Sequence, residues 1–355
     1  MKKTLLALAV LSSFAGAASA QSAVTIYGSF DGGLRDVSHV GTTVATGRDD
    51  KLTMGSNGTY NSNRIGFKGV EDLGGGLNAH FVLETGFNTG TGQLDTATTT
   101  NKLFNRSAYV GLGGAFGSVD LGRQYSVNFK TIGAYDPFAY KYPAIIPLAG
   151  QAGLTRLDND VQYTGTFGPV TARAEYALGE QASGKSDGST VAAGVNFASG
   201  PFSAGAAYTK RKNNVAVVAV PANPANFQDQ KNWTIGGAFR AAAFSVAVGY
   251  ADNKQQTGTA VPEGRTKDEW VGGSFNLSPA AALTLGYYRT ILDVGTGVGV
   301  TAGGRQNLAI FGGTYSLSKR TNIYADIDNA KLSGIAITNG QGSRTGVSVG
   351  VNHLF

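Results

Sequence analysis

Side chains with catalytic potential are few and widely separated in this 355-residue sequence. The three histidines, His39, His80 and His353, lie in distant segments, and no Ser/His/Asp set with recognisable spacing is present. The sequence contains no cysteine and no histidine cluster, so we expect no transition-metal site. The sequence therefore predicts a protein that is not an enzyme and that carries no cofactor or metal ion.

Two other features could suggest nucleotide or nucleic-acid binding. The glycine-rich run that begins at Gly111 resembles a phosphate-binding loop, but Phe116 occupies its third glycine position, and a turn is the better interpretation. The isoelectric point of about 9.3 is basic, yet no basic cluster with interleaved aromatic residues accompanies it. We therefore expect no nucleic-acid partner.

The stretch Tyr125–Thr155 differs from the rest of the chain because it lacks any alternation of apolar and polar residues. Long loops of this kind in compact proteins are usually functional or disordered. Disordered segments lack large apolar residues. This one contains several, namely Tyr135, Phe138, Tyr140, Tyr142, Ile145, Ile146 and Leu148. We therefore predict an ordered loop that packs inside a larger structure.

Residues 1–20 have the features of a secretory signal peptide. Lys2 and Lys3 precede an apolar core, and Ala18-Ser19-Ala20 forms a small-residue cleavage site. The apolar core is shorter than the roughly twenty residues of a membrane-spanning helix. We expect cleavage before Gln21, which would leave residues 21–355 as one exported domain without disulfides.

Most of the remaining chain alternates with a period of two residues, which is typical of β-strands with two different faces. The first such segment places Val24, Ile26 and Phe30 on one face and Ser29 and Asp31 on the other. Roughly sixteen segments of about ten residues follow this pattern, a length that lets a tilted strand cross a membrane. Charged residues make up only 15% of the sequence, whereas soluble proteins typically have about 25%.

The connections between these segments alternate between short turns and long polar loops. The predicted long loops are Val37–Thr59, Asn88–Lys102, Tyr125–Thr155, Gly179–Gly188, Arg211–Gln230, Asp252–Arg265, Leu292–Gly304 and Leu332–Gly342. This layout is typical of an outer-membrane β-barrel, with short turns on one side and long loops on the other. A soluble β-sandwich or β-helix would not produce it over the whole chain. The C-terminal strand ends on Phe355 without a cap, so we expect it to pair with the first strand.

Several motifs resemble those of the general porins of Gram-negative bacteria, in the beta-proteobacterial branch. They are VTIYGSFDGGL near the start, NRIGFKGVEDLGGGL at Asn63–Leu77, FNRSAYVGL at Phe104–Leu112, VDLGRQ at Val119–Gln124 and the terminal VSVGVNHLF. The resemblance covers essentially the whole mature chain. It implies a transmembrane antiparallel barrel of sixteen strands that forms trimers and whose third long loop folds into the lumen as a constriction.

The resemblance also implies where the charges of the constriction lie. A basic wall would be formed by Arg64, Arg106, Arg123 and Arg156. Asp136 would face this wall from the loop, with Tyr140 at a position where the family often has a second acid, followed by Lys141. The expected constriction therefore holds more base than acid.

The function that follows is passive diffusion of small hydrophilic solutes and ions across the outer membrane, with a mild preference for anions. The expected partners are two further copies of the chain, outer-membrane lipid and lipopolysaccharide, and the barrel-assembly machinery, for which the terminal Phe355 resembles the signal. An alternative is a barrel that acts mainly through its surface loops, as an adhesin, a receptor or a barrel hydrolase.

Overall fold

The computed structural model describes residues 23–40, 50–54, 58–95, 102–148, 155–182, 184–212, 227–257, 263–297, 300–337 and 340–355. The predicted signal peptide lies outside them. The strands are β1 (Ala23–Ser38), β2 (Lys51–Met54), β3 (Arg64–Gly74), β4 (Leu77–Gly86), β5 (Ser107–Gly114), β6 (Gly117–Tyr125), β7 (Arg156–Phe167), β8 (Val170–Ala177), β9 (Thr190–Ser199), β10 (Phe202–Lys212), β11 (Phe227–Arg240), β12 (Phe244–Thr257), β13 (Gly264–Asn276), β14 (Ala281–Gly297), β15 (Val300–Ser316), β16 (Thr321–Gly334) and β17 (Ser343–Leu354).

All seventeen strands belong to one antiparallel sheet that closes on itself. Strands β2 and β3 pair with successive parts of β1, so together they fill one position and the barrel has sixteen. The barrel closes between β1 and β17, in a register that runs from Ser29 opposite Leu354 to Ser38 opposite Thr345. Phe355 exchanges two backbone hydrogen bonds with Gly28. The predicted pairing of the terminal strand is therefore confirmed, because the first and last strands of the sheet pair with each other.

The two faces of the strands differ as the alternation predicts. In β1, Val24 and Ile26 are 59% and 57% exposed on the outer face, whereas Ser29 and Asp31 are 0% and 1% exposed on the inner face. An apolar exterior and a polar interior fit a barrel surrounded by lipid that encloses water. No helix among the described residues is both long and apolar enough to cross a bilayer.

Two of the predicted long loops are largely strand, and a third, Val37–Thr59, contains the short strand β2. Strands β12 and β13 continue through most of Asp252–Arg265, and β14 and β15 continue through most of Leu292–Gly304. In both places the sequence is polar because the hairpin extends beyond the apolar band. A polar segment there still satisfies its backbone through the ladder between the two strands.

The stretch between β6 and β7 contains no strand among its described residues, as predicted. It begins with a short helix, α1 (Val127–Ile132), which Ser126 caps by accepting a hydrogen bond from the Phe129 backbone N–H. A single 3-10 turn, Gly133–Tyr135, follows. This loop packs on inner-face side chains of the barrel, because Trp270 of β13 donates to the Tyr135 carbonyl at 2.8 Å and Tyr288 of β14 donates to Asp136.

Inward-facing glycines make room for this loop along the wall. A Cβ atom at any of six of them would approach a loop side chain within about 3 Å; these are Gly194, Gly205, Gly236, Gly272, Gly286 and Gly312. They lie on strands β9, β10, β11, β13, β14 and β15. The glycine content of the sequence is high, at 52 of 355 residues. The structure shows that part of it forms a track on which the loop lies.

Replacing Gly236 by valine should destabilise the protein because the new Cβ would lie 2.7 Å from the Tyr135 ring. Overpacking of this kind costs about 1–3 kcal/mol in the free energy of unfolding, which urea unfolding in detergent micelles measures. The matched control is Gly237→Val on the outer face, where the nearest atom is the Ser203 carbonyl oxygen at 3.5 Å. Equal unfolding midpoints for the two variants would show that the loop does not rest on Gly236.

Candidate functional site

A cavity of about 630 Å³ lies between the loop and the wall formed by the first strands of the barrel. Four cationic side chains line it, namely Arg64, Arg106, Lys141 and Arg156, and two acidic ones, namely Glu84 and Asp95. Their formal charges sum to two positive charges. The cavity therefore brings together three of the four predicted arginines with two of the three predicted loop residues, Tyr140 and Lys141.

Glu84 neutralises part of this basic wall. Its carboxylate accepts a hydrogen bond from Arg106 Nε at 2.6 Å and lies 3.6 Å from Arg64 Nε. Tyr27 donates a further hydrogen bond to the same carboxylate. One buried carboxylate thus contacts two arginines, and these contacts hold both side chains in place.

Arg156 is held differently, by an aromatic ring. Its Nη2 donates to the Tyr125 hydroxyl at 2.8 Å, and its guanidinium carbon lies 4.5 Å from the centre of the Tyr125 ring. Arg106 Nη2 donates to the same hydroxyl. Among the described residues, no acidic group forms an ion pair with Arg156. Its positive charge is therefore directed at the cavity without a neutralising partner there.

Lys141 contributes a charge that depends on pH. Its ammonium group lies 5.3 Å from the centre of the Tyr60 ring. Burial and the nearby positive charge of Arg64 lower the Lys141 pKa to about 8, although Asp31 partly opposes the shift. The lysine is thus mostly charged at neutral pH and loses its charge in mildly alkaline solution.

Arg123 does not line the cavity with the other arginines. Its Nη1 pairs with Asp158 at 2.6 Å, its Nε donates to the Asn105 carbonyl at 2.8 Å, and Lys102 pairs with the same aspartate. The strand register of β6 shifts at this point, between Gly122 and Gln124. This shift changes the direction of the Arg123 side chain, and the sequence motif alone does not reveal it.

Asp136 is also placed differently from the prediction. Its carboxylate is buried in the loop, where it accepts hydrogen bonds from the Tyr288 hydroxyl at 2.6 Å and from the Tyr140 backbone N–H at 2.7 Å. Burial raises the pKa of this carboxyl above its ordinary value. The expectation that Asp136 faces the basic wall is therefore wrong in this structure. The residue anchors the loop to β14 instead.

The acids that do face the arginines, Glu84 and Asp95, were missed by sequence reasoning. Glu84 could be found only through the strand register, which places it opposite Gly66 on one side and Ser107 on the other. These positions are close to Arg64 and Arg106, and side chains on neighbouring strands interact at such distances. The strand register does not place Asp95, which lies in a loop.

No group of His, Cys, Asp or Glu residues suited to hold a metal ion occurs in the part of the chain that the structure describes.

The comparisons with known proteins agree with this architecture. The Gram-negative porin family matches residues 7–334. This chain belongs to the Gram-negative porin family. An outer membrane porin protein of Bordetella pertussis is 31% identical, and outer membrane porin protein 32 of Delftia acidovorans is 30% identical, each with full coverage of both chains. These relatives agree with the beta-proteobacterial branch that the motifs indicate, and an outer-membrane location follows.

Two solved structures show the same fold. The anion-selective porin from Comamonas acidovorans superposes with a TM-score of 0.74 at 25% identity, over 94% of this chain and all of that one. OmpT of Vibrio cholerae in its trimer form superposes with a TM-score of 0.69 over 94% of this chain and 99% of that one. The second is only 14% identical, so it supports the fold alone. The porin's sixteen strands and closed sheet thus agree with its relatives.

Proposed function

We propose that this porin conducts small hydrophilic solutes and ions by passive diffusion, with a mild preference for anions that is set at the cavity beside the loop. The observation that carries this proposal is the net positive lining, in which no described acid forms an ion pair with Arg156 or Lys141. The similarity to the anion-selective porin from Comamonas acidovorans supports it.

The preference is mild because the charges act through water. At ~5 Å in a water-like dielectric, one charge changes the energy of an ion by about 0.8 kcal/mol, and salt screens it further. Glu84 and Asp95 offset two of the four positive charges. We therefore expect a selectivity of a few-fold that weakens as the salt concentration rises.

The pH dependence of this selectivity should follow Lys141. Since its pKa is lowered to about 8, the positive charge is present at pH 7 and lost as the pH rises towards 9. Reversal potentials under a salt gradient should therefore show a smaller anion preference at pH 9 than at pH 7. Lys141→Gln should show the smaller preference at both pH values. An equally steep pH dependence in Lys141→Gln would assign the titration to another group.

The proposal extends to assembly and biogenesis. A trimer fits the apolar outer face of β1, where Gly32 leaves open space. Lipopolysaccharide and the barrel-assembly machinery are the expected contacts of an outer-membrane barrel. Unheated detergent gels test the trimer. We expect a species with about three times the mass of the mature chain, which is somewhat below 36.5 kDa. A monomer band that is the same with and without heating, and that cannot be crosslinked, would contradict the trimer.

Reconstitution in a planar bilayer tests the central function. Stable open-channel current steps are expected from a diffusion pore. A barrel that acts only through its surface loops, as an adhesin, receptor or hydrolase, would give no stable open level.

A further inference from the structure

Three aromatic rings form a continuous stack beside the cationic residues of the cavity. Tyr125 and Phe129 stack at 4.7 Å between ring centres with an interplanar angle of 12°. Phe129 and Tyr140 stack at 4.1 Å and 14°. We call these three residues the aromatic ladder. All three line the cavity, together with Arg156.

The central ring of the ladder, Phe129, can meet the cavity only through its edge. Phe129 has Tyr125 on one face and Tyr140 on the other, while the Arg156 guanidinium lies beside Tyr125 and donates to its hydroxyl. A ring covered on both faces can contact the lumen only through its edge. Aromatic edges carry partial positive charge and prefer the negative face of another ring. The ladder is thus suited to contact a flat aromatic solute edge-to-face.

Arg156 supplies the charge that such a solute needs. It lies at one end of the ladder, and among the described residues no acid pairs with its side chain. Arginine recognises planar carboxylates through its fork of N–H donors. The Phe129 edge is one ring away from this guanidinium along the stack, so a carboxylate and an attached ring can be contacted together. The cavity volume of about 630 Å³ lies within the range of small-molecule sites.

We propose that this cavity retains small aromatic carboxylates of the benzoate type during their passage, with the carboxylate on Arg156 and the ring against the edges of Phe129 and Tyr140. The inference rests on the proposed function, since it names a solute class for the same cavity. It adds a selectivity that charge alone does not give, because a saturated acid of the same size has no negative ring face to offer.

The test compares how two acids of equal charge and similar size reduce the chloride current of the reconstituted channel. Benzoate and cyclohexanecarboxylate are titrated against the wild type, and their half-blocking concentrations are compared. We expect benzoate to block at a concentration about three- to tenfold lower, the range that aromatic contacts supply. A ratio near one in the wild type overturns the inference, whether or not any variant folds.

Two variants assign the effect to the ladder. Phe129→Leu should bring the ratio of half-blocking concentrations close to one, because it removes the central ring. The matched control, Phe197→Leu, removes a ring from the outer face of β9 and should leave the ratio unchanged. A ratio that persists in Phe129→Leu contradicts the role of the ladder. The proposed function fails separately, if the wild type shows no anion preference in a chloride salt gradient without either acid.

Discussion

Deleting Pro137–Pro147 should widen the pore and leave the barrel intact. The described segment contributes no hydrogen bond to the barrel ladder; it rests on the wall through Phe138, Tyr142 and neighbouring apolar side chains. Its removal takes Tyr140 and Lys141 from the cavity. We expect single-channel conductance to rise and larger oligosaccharides to enter proteoliposomes. The variant should also be less stable, because Trp270 and Tyr288 lose their apolar cover.

The control for this deletion shortens a loop that does not line the cavity. Removing Gln181–Asp187 between β8 and β9 should leave conductance and the size limit for sugars unchanged. If the Pro137–Pro147 deletion folds and behaves like this control, the loop does not restrict the pore.

Replacing Arg156 by glutamine should reduce anion selectivity more than any other single neutralisation in the basic wall. Arg156 has no acidic partner among the described residues, whereas Arg64 and Arg106 share Glu84. Loss of one charge at ~5 Å changes anion occupancy by up to about fourfold in a water-like dielectric, and by less at ordinary salt concentrations. The ratio of chloride to potassium permeability, obtained from reversal potentials, measures the change.

Two further variants make this prediction specific. Arg123→Gln removes the same charge outside the cavity, where Asp158 already pairs with it, and should change the permeability ratio much less. Glu84→Gln should act in the opposite direction and raise the anion preference, because it releases the charges of two arginines. Equal effects of Arg156→Gln and Arg123→Gln would show that the cavity does not set the selectivity.

The barrel could be predicted from the sequence because its physical cause is local. A strand between lipid and water must alternate, and Val24, Ile26, Ser29 and Asp31 show that alternation directly. The alternating connections then determine the order of strands. The residues at which the hairpins end could not be predicted from the sequence. Beyond the lipid both paired and unpaired backbone can carry polar side chains, and in β14 and β15 the polar segment is still paired.

The candidate site was predicted only in part, because its chemistry depends on contacts across the barrel. Arg64, Arg106, Arg156, Tyr140 and Lys141 do meet at one cavity, as the motifs suggest. The pairing of Glu84 with two arginines requires the register of three strands. The burial of Asp136 depends on Tyr288, which lies 152 residues away in sequence. The charged side chains of a loop can be identified from the sequence, but the sequence does not reveal which of these side chains face the water.

The reversal potential of the wild-type channel under a potassium chloride gradient at neutral pH tests the central claim most directly. Because the cavity carries net positive charge, we predict a reversal potential whose sign corresponds to a chloride permeability a few-fold above that of potassium. The ratio of chloride to potassium permeability should be smaller at high salt. A potassium permeability equal to or above that of chloride at low salt would contradict the account.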